Sequence, residues 1–132
     1  MATDLVVKIF SFSFHTSGIP EDDSGNGGGF IFDCRCLPNP GRDPAYAEYT
    51  GKDIEVIEFL EKHAVIKQFL DYITGIIDLA AENYQSRNFA NLLVAFGCTG
   101  GQHRSVYFAE RLAEHLARQN VSSEVHHLVL ES

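Results

Sequence analysis

The sequence predicts a single α/β domain, with a mostly parallel sheet of about four strands between helices. First, apolar runs of strand length alternate along the chain with longer segments of helical period. Second, residues 91–96 are almost entirely apolar, which is typical of a central strand covered on both faces. Third, 132 residues with 45% hydrophobic and 21% charged residues suit one globular unit, so we expect residues 1–132 to form one domain.

Local patterns predict the elements of the first half. Residues 5–14 are β-branched and aromatic and predict a first strand, and residues 30–34 predict a short second one. Between them, residues 16–29 are rich in Gly, Ser and Asp and predict a mobile loop, with a hinge at residues 27–29. This loop is long enough for a hairpin or a crossover, so the strand order stays open. Residues 35–44 contain three prolines and predict irregular backbone.

Helical spacing dominates the second half. Residues 53–87 carry apolar residues at helical period and predict two helices, with a break near His63 or Ala64. The apolar strand that follows ends in a glycine-rich turn, GCTGGQHRS. Residues 103–119 return to helical spacing, and residues 123–131 predict the last strand.

The charge balance bears on the class of partner. A net charge of −8, from 10 Lys+Arg and 18 Asp+Glu, repels phosphate backbones, so the charge disfavours RNA as a partner. A small anion could still bind where the few cations converge. Arg35, Arg42 and Arg104 lie within or beside the motifs described below.

The cysteines and the chain termini predict the compartment. Cys34, Cys36 and Cys98 form neither a disulfide framework nor a zinc-type pattern, so we expect a reducing compartment and no metal site. We also expect no bound cofactor. The amino-terminal residues lack the pattern of a signal peptide, and no later segment approaches the length of a membrane span. These features predict a cytoplasmic protein without a membrane partner.

The glycine-rich turn is the most informative segment. It joins a buried strand to a helix, and a helix N-terminus presents unpaired N–H groups to which glycines allow close approach. The turn therefore predicts a site for a phosphate or sulfate anion, with Arg104 adding a charged fork. The alternative is a tight turn whose glycines serve close packing only. The predicted ligand-binding residues here are Cys98, Thr99, Gly100, Gly101, Gln102, His103, Arg104 and Ser105.

The same residues fit a second chemistry. Cys98 and Arg104 match the C-x5-R-[ST] loop of cysteine-dependent phosphatases, in which a thiolate attacks phosphorus and the arginine holds its oxygens. An acid such as Asp33 or Asp43 would have to protonate the leaving group, and both qualify by residue type alone. This spacing fixes few positions, so phosphatase activity stays an alternative and the catalytic residues stay unknown.

A second polar segment, residues 33–40, follows the second strand. Because ligands bind beyond the carboxyl ends of parallel strands, this segment and the glycine-rich turn are predicted to face one crevice. There Asp33 could accept hydrogen bonds from sugar hydroxyls, Arg35 could hold a second anionic group, and Asn39 could orient either one. The alternative is an Asp33–Arg35 ion pair beside a rigid Pro-Asn-Pro turn.

Four segments in this order, SFSFHTSGIP, FDCRCLPNP, DP…TGKD and GCTGGQHRSVYFAE, resemble the C-terminal domain of RapZ RNase adapter proteins. The resemblance implies a phosphofructokinase-like fold, glucosamine-6-phosphate binding as an amino-sugar sensor, recognition of small regulatory RNAs and assembly into homo-oligomers. We therefore expect a non-enzymatic sensor domain in a stand-alone version, without the P-loop nucleotide-binding domain of that family. By position, the resemblance implies a phosphosugar site lined by Asp33, Thr99, Gly100, Gly101, His103 and Arg104, with Cys98 opening its loop.

Three positions depart from this resemblance. Gly41 stands where enterobacterial members have a histidine, Ala47 where they have an arginine, and His15 where they have a lysine. The carboxyl-terminal residues HHLVLES also lack their basic tail. Together with the net charge, these departures disfavour RNA binding more than they disfavour binding of a phosphorylated small molecule.

Overall fold

The computed structural model describes residues 4–26 and 28–132. Gly27, which belongs to the predicted hinge, lies outside the described residues, and the mobility of residues 16–29 stays a prediction. The fold is a single α/β domain in which four parallel strands form one sheet, so the predicted fold class is confirmed. In chain order the strands are β1 (Val6–Ser13), β2 (Gly29–Asp33), β3 (Asn91–Cys98) and β4 (Ser122–His127).

The strand order is β2-β3-β1-β4, which settles the connection that the sequence leaves open. Both β1 and β2 pair with β3 in parallel, so the segment between them is a crossover and not a hairpin. The fourth strand is shorter than predicted. It ends at His127 because the chain turns there, with the Glu131 N–H donating to the His127 carbonyl (2.9 Å) and the Glu131 carboxylate accepting from the His127 N–H (2.8 Å).

Three helices follow the predicted pattern, α1 (Ile54–Glu61), α2 (Ala64–Ser86) and α3 (Arg104–Arg118). The predicted break is confirmed at His63, which is extended (φ −99°, ψ 118°) and precedes the first residue of α2. The proline-rich segment contains two short 3₁₀ turns, Pro40–Arg42 and Pro44–Tyr46. Asn39 caps the first of these turns, since its Oδ1 accepts from the Gly41 N–H at 2.9 Å.

Different parts of the chain cover the two faces of the sheet. Alternate residues of the strands pack with all three helices into one core, as where Phe96 of β3 stacks on Phe108 of α3 with ring centroids 6.2 Å apart. The β1–β2 crossover runs along the opposite face of the sheet. Asp23 in this crossover lies 3.9 Å from the Lys8 ammonium, and the Asn26 amide donates to the Asn91 carbonyl at 2.7 Å.

The parallel register brings two loops to one edge of the sheet. Asp33 at the end of β2 lies opposite Gly97 of β3, and the next residue, Cys34, donates its N–H to the Gly97 carbonyl at 2.7 Å. The loop after β2 and the loop after β3 therefore begin side by side, which is where parallel α/β sheets bind their ligands.

Candidate functional site

The loop between β3 and α3, residues 99–103, has hydrogen-bonded carbonyl groups and unpaired N–H groups. The Thr99 carbonyl accepts from the Ser13 hydroxyl at 2.6 Å, and the Gln102 carbonyl accepts from the Gly51 N–H at 2.9 Å. Within residues 4–26 and 28–132, no backbone N–H of residues 99–103 donates to another residue. Because this loop also leads into a helix N-terminus, its free donors favour an anionic partner.

Arg104, the first residue of α3, joins the two loops. Its Nη1 donates to the carbonyl groups of Arg35 (3.1 Å) and Leu37 (3.0 Å), with the Cys34 carbonyl at 3.5 Å. The side chain is almost fully buried, with 3% of its residue surface exposed. Its Nε is also buried and has no partner among the described residues. A guanidinium cannot lose its charge, so Arg104 places a permanent positive charge between the two loops.

Two adjacent cavities open beside Arg104. The first, called the loop cavity, has a volume of about 330 Å³ and is lined by Asn39, Gly41, Ala47, Cys98, Thr99, Gly100, Gln102, His103 and Arg104. The second, called the arginine cavity, has a volume of about 470 Å³ and is lined by Arg35, Cys36, Leu37, Pro38, Asn39, Arg42, Thr99 and Arg104. These volumes are in the range of small-molecule sites. The structure thus brings both predicted loops to one crevice.

The side chains of Gln102 and His103 form hydrogen bonds to the segment of residues 46–49. Gln102 Nε2 donates to the Ala47 and Tyr49 carbonyl groups, each at 2.8 Å, and the His103 ring lies 3.0 Å from the Tyr46 carbonyl through Nε2. A carbonyl oxygen can only accept, so Nε2 carries the proton and Nδ1 remains an acceptor in the neutral ring. His103 therefore offers the loop cavity an acceptor, whereas the Gln102 amide nitrogen is already occupied.

Cys98 and Ser105 lie beneath the loop. Both are buried, with 2% and 0% of their surface exposed, and the Cys98 thiol donates to the Ser105 hydroxyl at 3.2 Å. Cys98 reaches the lining of the loop cavity, but Ser105 lines neither cavity. Ser105 is thus a packing and hydrogen-bonding partner of Cys98 in this structure, and it is not a surface that a ligand would contact.

Asp33 and Arg35 form the ion pair that was the alternative to a ligand-binding role for both residues. Arg35 Nη2 and Asp33 Oδ2 are 2.7 Å apart, and the guanidinium lies over the Phe14 ring at 3.9 Å from its centroid. The hydrogen bonds from Arg35 hold the pKa of the Asp33 carboxyl below its usual value. Asp33 lines neither cavity, while Arg35 lines the arginine cavity.

Four residues outside the predicted ligand-binding set shape this crevice. Gly41 and Ala47, two small residues of the proline-rich segment and the turn after it, line the loop cavity. Ser13 anchors the loop through the Thr99 carbonyl, and nothing about a serine at a strand end signals that role. Arg42 lines the arginine cavity, and its position beside the Pro-Asn-Pro turn was the only signal.

The described residues carry no sign of a metal centre or a membrane span. No three His, Cys, Asp or Glu side chains among residues 4–26 and 28–132 are grouped so that they could hold a metal ion. In the same part of the chain, none of the helices combines the length and the apolar character needed to cross a bilayer.

Comparison with known proteins identifies the family. A family model described as the RapZ C-terminal domain matches residues 5–131. The chain belongs to this family. The resemblance seen in the motifs is therefore confirmed over nearly the whole chain.

Relatives of this RapZ C-terminal domain are longer proteins. The chain is 46% identical over 129 residues to a nucleotide-binding protein of Methylobacillus flagellatus, a match that covers 98% of this chain and 44% of the relative. It is 40% identical over 124 residues to a nucleotide-binding protein of Hahella chejuensis, covering 94% and 41%. A nucleotide-binding protein of Thermotoga neapolitana is 40% identical over 125 residues, covering 95% and 42%. The chain thus spans about two-fifths of the length of these relatives.

The thiols of this RapZ C-terminal domain should differ sharply in reactivity. Burial raises the pKa of Cys34 well above its usual value, with the nearby Cys98 adding to the shift, so the Cys34 thiol stays protonated through neutral pH. Cys98 is buried and hydrogen-bonded, while Cys36 is exposed. We expect iodoacetamide at neutral pH to alkylate Cys36 alone in the native protein, as counted by mass spectrometry of the intact chain and its peptides.

Two comparisons make this measurement decisive. All three thiols should react once the protein is unfolded in urea, and the Cys36→Ser variant should take up no label in the native state. Rapid labelling of Cys98 in the native protein would contradict the expectation and would favour the phosphatase alternative, which needs an accessible thiolate.

Proposed function

We propose that this chain is a regulatory sensor domain that binds a phosphorylated small molecule, an amino-sugar phosphate such as glucosamine-6-phosphate, in the loop cavity. One observation carries the proposal: the loop cavity is lined both by loop residues whose backbone N–H groups are unpaired and by the permanently charged Arg104. Charge-assisted hydrogen bonds of this kind contribute roughly 1.5–3 kcal/mol each, so a few of them suffice to hold a phosphate on an acidic protein.

The remainder of the loop cavity suits the sugar portion of such a ligand. His103 Nδ1 is a free acceptor for a hydroxyl or ammonium group, since Nε2 is committed to the Tyr46 carbonyl. Gly41 leaves room beside this ring: a Cβ atom at Gly41 would lie 3.6 Å from His103 Nδ1. An anionic end and a hydrogen-bond-donating end are the two features that an amino-sugar phosphate combines.

Phosphatase chemistry has less support from the same geometry. The Cys98 thiol is buried and bonded to Ser105, and Arg104 Nη1 is committed to backbone carbonyl groups. Asp33, the candidate acid, lines neither cavity and pairs with Arg35. These positions support a binding role in which the phosphate ester is held and not cleaved.

Because the chain belongs to the RapZ C-terminal domain family, we propose that this site serves a regulatory role related to an RNase adapter. We propose the cytoplasm as its compartment and a homo-oligomer as its assembly. RNA binding is the second candidate, with the family as its support. The net charge of −8 leads us to expect little retention of structured RNA at physiological salt.

The proposed function is tested by titration of the isotope-labelled protein. We expect glucosamine-6-phosphate to shift the amide resonances of residues 99–104 in a saturable way, inorganic phosphate to shift a subset of them more weakly, and glucosamine to have no effect. The phosphate supplies the charge that the free N–H groups require, so the unphosphorylated sugar is the matched control. Absence of any shift with the two phosphates at millimolar concentration would sink the proposal.

A further inference from the structure

We propose that the arginine cavity is a second anion subsite, so that the preferred ligand carries two anionic groups, as a sugar bisphosphate does. This inference rests on the proposed function, because it assumes that the first phosphate occupies the loop cavity. It extends that function by naming the class of ligand: a phosphorylated sugar with a further phosphate or carboxylate on the same skeleton.

Positive charge is concentrated in this cavity. Of the six arginines in a chain of net charge −8, three line it, and none of its lining residues is acidic. Arg35 is neutralised by Asp33, but the Arg42 guanidinium makes no hydrogen bond and no ion pair with any residue of the described ranges. Arg104 belongs to the first site, and its Nη1 is held by the Arg35 and Leu37 carbonyl groups. Arg42 is thus the cationic group of this cavity that is left without an anionic partner.

The second cavity continues the first. Asn39, Thr99 and Arg104 line both, so a ligand anchored on the loop can extend past Arg104 without leaving the protein surface. Arg42 stands on a fixed piece of backbone, the 3₁₀ turn Pro40–Arg42, whose first free N–H is capped by the Asn39 side chain. The base of the Arg42 side chain is therefore held at the rim before any ligand arrives, which lowers the ordering cost of binding.

This arrangement distinguishes two kinds of phosphorylated sugar. A monophosphate satisfies the loop donors and leaves Arg42 solvated, whereas a bisphosphate places its second phosphate where a guanidinium fork can meet it. Because Arg42 is exposed and solvent screens its charge, the gain is that of one partly screened contact. We expect an affinity advantage of about twofold to fivefold for the bisphosphate.

The experiment compares glucose-6-phosphate with glucose-1,6-bisphosphate, which differ by one phosphate, by calorimetry on three proteins. The wild type should bind the bisphosphate about twofold to fivefold more tightly. Arg42→Ala should remove this advantage and leave the affinity for the monophosphate unchanged. Arg118→Ala, at the far end of α3, removes the same charge away from the crevice and should leave both affinities unchanged.

The outcomes separate the two proposals. Equal affinities of the wild type for the two sugars, or equal losses for both sugars in Arg42→Ala, would overturn the second subsite and leave the loop site standing. If neither sugar phosphate binds and glucosamine-6-phosphate in the same series also fails to bind, the proposed function falls and the second subsite falls with it.

Discussion

Replacement of Arg104 by alanine is expected to lower the free energy of unfolding by about 3 kcal/mol or more and to abolish binding of phosphate esters. The substitution removes the donor that Nη1 provides to the Arg35 and Leu37 carbonyl groups, and it leaves a void between the two loops. Buried carbonyl groups without a partner cost about 1–3 kcal/mol each. Urea denaturation followed by circular dichroism measures the stability, and calorimetry measures the binding.

Two further variants keep this prediction decisive. Arg104→Lys retains the positive charge but lacks the planar fork, so we expect intermediate stability and weakened phosphate binding. Arg118→Ala removes an arginine from the carboxyl-terminal end of the same helix and should behave as the wild type in both measurements. An Arg104→Ala protein that is as stable as the wild type would show that the link between the two loops contributes little.

Replacement of Gly101 by alanine should have the second large effect, with a loss of about 2–4 kcal/mol in the free energy of unfolding and a loss of anion binding. Gly101 has φ +70°, a conformation that strains residues with a side chain. A Cβ there would also lie 2.5 Å from a Val129 methyl group and 3.0 Å from the Ser13 backbone nitrogen. The loop would have to move away from the end of β1.

The neighbouring glycine provides the matched control. A Cβ on Gly100 would meet no atom within 4 Å, and Gly100 is not among the positive-φ glycines of the described residues. We expect Gly100→Ala to change the free energy of unfolding by less than about 0.5 kcal/mol. Equal thermal stability of the Gly101→Ala and Gly100→Ala proteins would show that the loop does not depend on the close approach of Gly101 to β1.

The elements of the fold were predictable wherever the pattern is local. Three polar residues, Glu61, Lys62 and His63, interrupt the apolar spacing of residues 53–87. At this interruption α1 ends and α2 begins. The end of β4 was not predictable. Leu128, Val129 and Leu130 suit a strand, but a turn closed by hydrogen bonds between Glu131 and His127 ends the strand first.

For the candidate site, the sequence indicated the loops but not the connections between them. The glycine-rich turn was recognisable because a buried strand, small residues and a helix follow one another directly. Arg104 reaches the carbonyl groups of Arg35 and Leu37 because β2 lies beside β3. No local pattern in the sequence specifies that placement. The Asp33–Arg35 ion pair, by contrast, joins residues two positions apart, and the local sequence already offered it as the alternative to ligand binding.

The loop between β3 and α3 is attached to residues 46–51. Four hydrogen bonds, from or to Gln102 and His103, already hold that segment against the loop. The proposed ligand site is thus preorganised by contacts within the chain. Because a preorganised site changes shape little on binding, we expect a protein that senses occupancy to contact the bound molecule or the rim of the cavity.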